Sequence, residues 1–294
     1  MIIAVVSGKG GTGKTTIATN LAQSAARGET SRASKNIWLV DCDVEAPNAA
    51  LFIHPQITDE INCTRLLPVI DAQRCDGCGK CVQVCTYNAL AITGKQVLFF
   101  KELCHACGSC ALSCPRGAIS EEAETIGLLQ SGHCRNLHFA QGTLQIGFSS
   151  AVPVIRDLKK WALPEDPDAL VILDAAPGCT CPVVETLRGT DFALLVTEPT
   201  PFGLHDLKLV TELVKQELQL PCGVLINKSS QHDHIIDEFC ESENIPILAR
   251  LPHSQRIAEK YAEGHLLIDA FPEYQAVFVQ LLMDMRALMQ KAAS

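Results

Sequence analysis

Eight of the fifteen cysteines in this 294-residue chain fall into two runs of the form C-x2-C-x2-C-x3-C. The first is Cys75, Cys78, Cys81 and Cys85; the second is Cys104, Cys107, Cys110 and Cys114. A four-iron cluster needs four thiolates around a cuboid. Tight turns bring three close, and in tandem runs of this kind the fourth comes from the other half. One cluster is therefore expected on Cys75, Cys78, Cys81 and Cys114, the other on Cys104, Cys107, Cys110 and Cys85. Glycines at 77, 79 and 108 suit a backbone folded closely around sulfide, whose N–H groups can tune the potential. Structural zinc is the rival reading, although zinc sites generally use pairs of CxxC. The second run ends Cys114-Pro115 and the first Cys85-Thr86, a difference that alters a turn without removing a ligand.

The second chemical element follows an apolar run at the start of the chain. Gly8-Lys9-Gly10-Gly11-Thr12-Gly13-Lys14-Thr15 satisfies GxxxxGK[ST], and Thr16 continues into a helical stretch. The glycines let backbone N–H groups wrap a β-phosphate, and the helix that follows presents its positive end. Lys14 can meet the β- and γ-phosphates and Thr15 can ligate Mg²⁺. Asp41 and Asp43 end the next apolar run, and Asp174 ends a later one. Carboxylates at strand carboxyl ends sit where ligands bind in open α/β sheets.

These groups need a scaffold. Strands are expected at 2–6, 37–40, 170–173, 193–196 and 223–226, mostly continuously apolar as strands covered on both faces should be, with a weaker one at 143–148. Helices are expected at 14–26, 153–161, 203–218, 235–243, 254–263 and 272–291. The alternation describes an α/β P-loop fold with a mostly parallel sheet flanked by helices. Between the second strand and the later ones the cysteine-rich segment interrupts it as a small inserted α+β module. A shift of 29 residues lays the first cysteine run on the second and also pairs Ala89 with Ala118 and Leu90 with Ile119, so one unit is duplicated. The expected domains are 1–62 and 121–294 for the ATPase, with 63–120 as the insert.

Composition narrows the function classes. The formal charge is −9, and the insert holds six basic residues (65, 74, 80, 95, 101, 116) against three acidic ones (71, 76, 102), leaving +3 there and −12 elsewhere. That balance argues against a non-specific nucleic-acid binder. No stretch of about 18 uncharged apolar residues reads as a membrane span, and the N-terminus has no basic start, apolar run and cleavage site. A soluble, cytoplasmic protein is expected, in which a disulfide framework is disfavoured.

Lys9 adds a narrower signal. The form KGGTGKTT resembles the deviant Walker A loop of the MinD, Mrp, ParA and nitrogenase iron-protein group. The resemblance extends to Asp41-Cys42-Asp43-Val44-Glu45-Ala46-Pro47-Asn48 as switch I, to Asp174-Ala175-Ala176-Pro177-Gly178 as switch II, and to the stretch 196–207. It implies that Lys9 reaches the nucleotide of the opposite subunit in an ATP-bound homodimer. Asp43 would position the attacking water, Asp41 and Asp174 would hold Mg²⁺ through water, and Asn227 would read the adenine edge. With the tandem cysteines, nearly the whole chain resembles MinD-like ATPases that carry an inserted bacterial-type ferredoxin domain with two [4Fe-4S] clusters. The expected function couples a Mg²⁺-ATP-driven dimer switch to electron transfer through those clusters, toward a redox partner. One alternative is an ATP-dependent metal or cluster delivery factor with a metal-acceptor partner. The other is a MinD- or ParA-like positioning ATPase. No nucleic-acid or membrane partner is expected.

Seven cysteines remain. Cys179 and Cys181 form a CxC pair just after switch II, either two small buried residues or, by analogy with relatives, a metal site bridging the dimer. Cys42, Cys63, Cys134, Cys222 and Cys240 read as ordinary thiols. His232-Asp233-His234 reads as a polar helix start, and so does His205. The apolar C-terminal stretch 276–289 has only Arg286 and Lys291 against Asp284 nearby, which favours a helix packed on the core over a membrane anchor.

Overall fold

In a strand, successive side chains point to opposite faces, so a run that is apolar at every position must be covered on both sides. The first strand shows this directly: Ile3 and Val5 join one buried cluster, and Ala4 and Val6 join another. A computed structural model describes residues 1–28, 36–148 and 150–293; residues 29–35, 149 and 294, which fall in the expected ATPase segments, lie outside the described residues. In chain order the elements are β1 (Ile2–Val6), α1 (Lys14–Arg27), β2 (Ile37–Asp41), α2 (Ala50–Ile53), β3 (Gln56–Ile70), α3 (Lys80–Val84), β4 (Leu90–Thr93), β5 (Gln96–Phe99), α4 (Ser109–Ser113), β6 (Ile119–Cys134) and β7 (Leu137–Leu144). There follow α5 (Val152–Ala162), β8 (Leu170–Asp174), α6 (Cys181–Leu187), β9 (Phe192–Thr197), α7 (Pro201–Thr211), β10 (Cys222–Ser229), α8 (His234–Ser242), β11 (Ile247–Pro252), α9 (Gln255–Ala262), α10 (Leu267–Ala270) and α11 (Tyr274–Ala293).

The main sheet has the order β11-β10-β9-β1-β8-β2-β7-β6-β3. The strands from β11 to β7 run parallel, and β6 and β3 are antiparallel to what they pair with. One face is packed by Ile155 and Leu158 of α5, Val183 of α6, Leu207 of α7 and Ile236 of α8. The other is packed by Ile17 and Leu21 of α1 and by Phe278, Leu281 and Met285 of α11, so the C-terminal helix packs on the core. No helix among the described residues is long and apolar enough to cross a membrane.

The five main expected strands appear as β1, β2, β8, β9 and β10, with small extensions. The weak strand placed at 143–148 is corrected to β7, because Gln145–Phe148 instead form a turn with Gly147 at φ 97°. The helix placed at 203–218 starts at Pro201, where Thr200 Oγ1 accepts the Gly203 N–H, and changes to a π-helical turn after Thr211. β11, α6 and above all the ribbon of β3 with β6 were not anticipated. That ribbon pairs from Gln56 opposite His133 to Ile70 opposite Ile119, so the edges placed near Asn62 and Ser120 fall inside its strands. Its far end carries the cysteine-rich unit, residues 71–118, with the two-stranded sheet β4-β5 and its own small cluster of Cys81, Leu90, Val97 and Ile119.

Where the ribbon leaves the sheet, Gly132 faces β3 so closely that a Cβ there would lie 2.0 Å from the Gln56 carbonyl oxygen. The obstacle is backbone and cannot rotate away. Gly132→Ala should therefore destabilise the chain by about 2 kcal/mol, seen as a lower denaturant midpoint at unchanged slope.

Candidate functional site

The loop after β1 turns through Gly11 at φ 80° and Gly13 at φ 91°, a region closed to most L-residues. A Cβ on Gly13 would also lie 2.2 Å from Asn227 Nδ2, so the loop and the end of β10 need this glycine to meet. α1 then starts at Lys14, with the Ile17 N–H donating to the Gly13 carbonyl at 3.0 Å. The result is a cavity of about 450 Å³ lined by Ser7, residues 9–16, Asp43, Asn48, Pro177, Asn227 and Lys228 at one end. At the other end stand Leu251, Pro252, His253, Ser254, Ile257, Ala258, Tyr261 and Leu267. A polar, amide-rich end beside a more apolar one suits a nucleoside polyphosphate.

Behind the loop, Asp41 and Asp174 end neighbouring strands at the same register position, and both are fully buried. Asp41 accepts the N–H groups of Asp43 at 3.0 Å, Asn48 at 2.9 Å and Ala49 at 3.0 Å. Burial, then the charge of Asp174, nonetheless pushes its carboxyl up to about 7. Among the described residues neither oxygen of Asp174 has a partner at hydrogen-bond geometry; Lys14 Nζ stands 3.5 Å away. Its carboxyl is also raised, by burial, with Lys14 working against the shift. Asp43 is half-buried at the cavity wall and raised by burial, with Lys14 opposing and Asp174 reinforcing the change. A cation at this point would relieve all three carboxylates, so the donor set fits Mg²⁺ held beside Thr15.

Lys9 is bound within its own chain, its Nζ 2.5 Å from Glu198 Oε1. Asn227 lines the cavity and donates its side-chain N–H to the Thr12 carbonyl at 2.7 Å. Sequence reasoning missed Glu198, Lys228 and the wall from β11 to α9. The Lys that follows Asn227 was a signal for the second; the wall carried none beyond a short apolar run before Pro252.

In the cysteine unit, one hollow is lined by Cys75, Cys78, Cys81 and Cys114, and a second by Cys85, Cys104, Cys107 and Cys110. The 29-residue repeat reappears in the backbone: Gly77 and Ala106, Gly79 and Gly108, and Asn88 and Gly117 all have positive φ. It reappears in the sulfur contacts too, since the Ala89 N–H donates to Cys85 Sγ and the Ala118 N–H to Cys114 Sγ, both at 3.3 Å. Four thiols with N–H donors around one hollow fit a cubane cluster. Among the described residues, no three or more His, Cys, Asp or Glu side chains converge as ligands to a single ion. Cys179 and Cys181 are exposed, which corrects their reading as small buried residues. Cys42, Cys63 and Cys240 are buried, and Cys134 and Cys222 partly so.

Residues 3–268 match the CobQ/CobB/MinD/ParA nucleotide binding domain. MJ0579, an uncharacterised protein of Methanocaldococcus jannaschii, is 29% identical over 271 residues, 90% of each chain. Among solved structures, the cell division ATPase MinD of Pyrococcus furiosus is similar with a TM-score of 0.56 at 20% identity, over 98% of this chain and 99% of that one. The septum site-determining protein MinD of Pyrococcus horikoshii, complexed with Mg-ADP, gives 0.54 at 19% identity, over 95% and 93%. At these identities the structures show a shared fold.

The raised carboxyls have a consequence for stability. In the nucleotide- and metal-free chain, Asp41 holds its proton up to about 7, well above its ordinary 3.8, so the folded state binds more protons than the unfolded one in between. Stability is then greatest at the acid end of that window. It should fall, by on the order of 2 kcal/mol, as pH rises from 5 to 8. Urea unfolding at the two pH values without Mg²⁺ checks this, and equal or greater stability at pH 8 would refute it.

Proposed function

The chain belongs to the CobQ/CobB/MinD/ParA nucleotide-binding family and is a P-loop ATPase, and from that premise we propose that it works as a nucleotide-dependent dimer switch of the MinD/ParA kind. The observation that carries this reading is the convergence of Lys14, Asp41, Asp43 and Asp174 behind one phosphate loop, at the carboxyl ends of adjacent strands. ATP binds with its phosphates on the loop amides. Mg²⁺, held beside Thr15, Asp41 and Asp174, supplies charge neutralisation on the phosphates. Lys14 stabilises the charge on the transferring phosphoryl group, and Asp43 orients the attacking water. Lys9 completes the site of a second copy, and Asn227, which lies near the end of β10 against the phosphate loop, reads the adenine edge from there. Of the named structural neighbours one is a cell division ATPase and the other a septum site-determining protein, and on that likeness a positioning output is put ahead of electron transfer.

The eight cysteines support a second reading that the shared fold does not supply. Here residues 71–118 hold two four-iron clusters on the crossed cysteine sets, and the switch controls electron transfer or cluster handover to a protein partner. Its support is the pair of four-thiol hollows, each drawing one cysteine from the other half of the repeat. Cys179 and Cys181 belong to this reading as a metal site shared by two copies. Their exposure supports it.

Three measurements separate these readings. Asp43→Ala should lower the ATPase rate by at least about 100-fold while ATP binding and ATP-dependent dimerisation survive; retained hydrolysis would remove Asp43 from its role. After anaerobic reconstitution with iron and sulfide, Cys85→Ser should halve the iron and the reduced EPR signal and leave the site of Cys75, Cys78, Cys81 and Cys114 loaded. Full loading, or zinc in place of iron, would sink the cluster reading. ATP-dependent binding to liposomes or DNA would support the positioning output, and its absence with intact clusters would favour the other.

A further inference from the structure

Glu198, directly after β9, takes two lysines on one carboxylate. Lys9 Nζ is 2.5 Å from Oε1, and Lys228 Nζ is 3.0 Å from Oε2. Lys228 also donates to the Gly11 carbonyl at 2.9 Å, so the carboxylate, both ammonium groups and the phosphate loop form one network. The Glu198 side chain is only 13% exposed. Burial opposes its ionisation, but the hydrogen bonds from Lys9 and then Lys228 outweigh that and hold its carboxyl below the ordinary range.

The two ends of the Lys9–Glu198 contact differ in freedom. The corner at Glu198 is pinned: the Thr200 N–H donates to the Glu198 carbonyl at 2.8 Å, and Gly203 lies so close that a Cβ there would be 2.1 Å from the same oxygen. Pro199 and Pro201 stiffen the turn between them. Lys9 sits where the loop opens, its side chain is 31% exposed, and a Cβ on Gly10 or Gly11 would meet nothing within 4 Å. The acceptor is fixed and the donor can move.

We propose that Glu198 is a latch, a positioning residue that holds Lys9 inside its own subunit in the nucleotide-free chain and surrenders it to the phosphates of a second copy when ATP is bound. Lys228 makes the release possible. A nearly buried carboxylate stripped of its only cation would carry a large penalty. With Lys228 still 3.0 Å away, Glu198 stays paired when Lys9 leaves. The phosphate chain of ATP offers Lys9 more negative charge than a carboxylate already shared with another lysine. The latch rests on the dimer reading above, and it adds a resting state in which the lysine that completes the partner's site is held back.

Glu198→Gln keeps the shape and removes the charge. In analytical ultracentrifugation with ATP it should tighten the dimer by about three- to tenfold, the worth of a partly exposed ion pair. No such change is expected with ADP or in a Lys9→Ala background. Independently, acylation with an amine-reactive reagent read by mass spectrometry should find Lys9 protected in the nucleotide-free parent and more reactive in Glu198→Gln. Should Glu198→Gln fail to fold, Glu198→Asp, one methylene short of bridging both lysines, should give the same directions. An unchanged or weaker ATP dimer, or unchanged Lys9 reactivity, overturns the latch. If the parent chain shows no ATP-dependent dimer at all, the dimer reading fails, and the acylation experiment still decides whether Glu198 restrains Lys9.

Discussion

Two carboxylates that share a register position on adjacent parallel strands set the terms for this molecule. Asp41 and Asp174 are both fully buried, one beside the other, with Lys14 as the cation at hand. Left alone, such a pair is electrostatically unfavourable, and a fold that keeps it must have a use for negative charge at that point. The three amides that bind Asp41 fix its orientation and hold the segment from Asp43 to Ala49 in place. The cost of the buried charges is thereby converted into geometry: a half-buried Asp43 at the cavity wall and a loop curled in front, open to phosphate and a divalent cation.

The same strand ends connect the site to the rest of the chain. The residues after Asp43 pack on β7, where the Leu144 N–H donates to the Val44 carbonyl at 2.7 Å. The residues after Asp174 lead into α6, whose last carbonyls, at Glu185, Thr186 and Arg188, all accept from Lys159 Nζ of α5. α5 is in turn clamped to the ribbon, since Arg65 reaches Asp157 Oδ2 at 2.7 Å and the Pro153 carbonyl at 2.9 Å. Next to that clamp, Lys101 lies 4.6 Å over the Phe148 ring, just before the cysteine loop that starts at Cys104. Chain connectivity and side-chain contacts therefore link the segments that follow Asp43 and Asp174 to α5 and the ribbon, with Lys101 and Phe148 beside that clamp. Continuity of this sort is a precondition for coupling, and coupling itself requires an element with two arrangements.

The sequence made the site legible where chemistry and local backbone coincide. A phosphate loop needs glycine at positions of positive φ, and Gly11 and Gly13 stand there. A buried parallel strand must be apolar throughout, so β1, β8 and β9 could be read from composition alone. The ribbon could not. β3 is long and largely exposed, β6 is exposed over residues 120–123, and both carry paired acids, Asp59-Glu60 and Glu121-Glu122, so neither shows a clean period-2 signal of burial. The contacts of Glu198 were equally hidden. Its partners are 189 and 30 residues away, and only the strand order that puts β9 between β1 and β10 brings Lys9 and Lys228 to one carboxylate.

The cysteine unit poses a different physical question, that of how so small a body stays folded. Its buried cluster amounts to Cys81, Leu90, Val97 and Ile119, supported by partly buried neighbours that include four more cysteines. A core of this size does not offset the conformational entropy of about fifty residues, and units of this kind usually need covalent or metal staples. The ribbon anchors only the two ends of residues 71–118 and leaves the loops between them to hold each other. Duplication supplies a solution. Because the last cysteine of each half lines the other half's hollow, neither half can complete its site alone. Anything bound in the two hollows ties Cys85 to the second run and Cys114 to the first, closing loops from both sides at once. On that argument a group bound in the hollows would be part of the fold of this unit, with the thiols around it standing beside an apolar core of only four buried side chains.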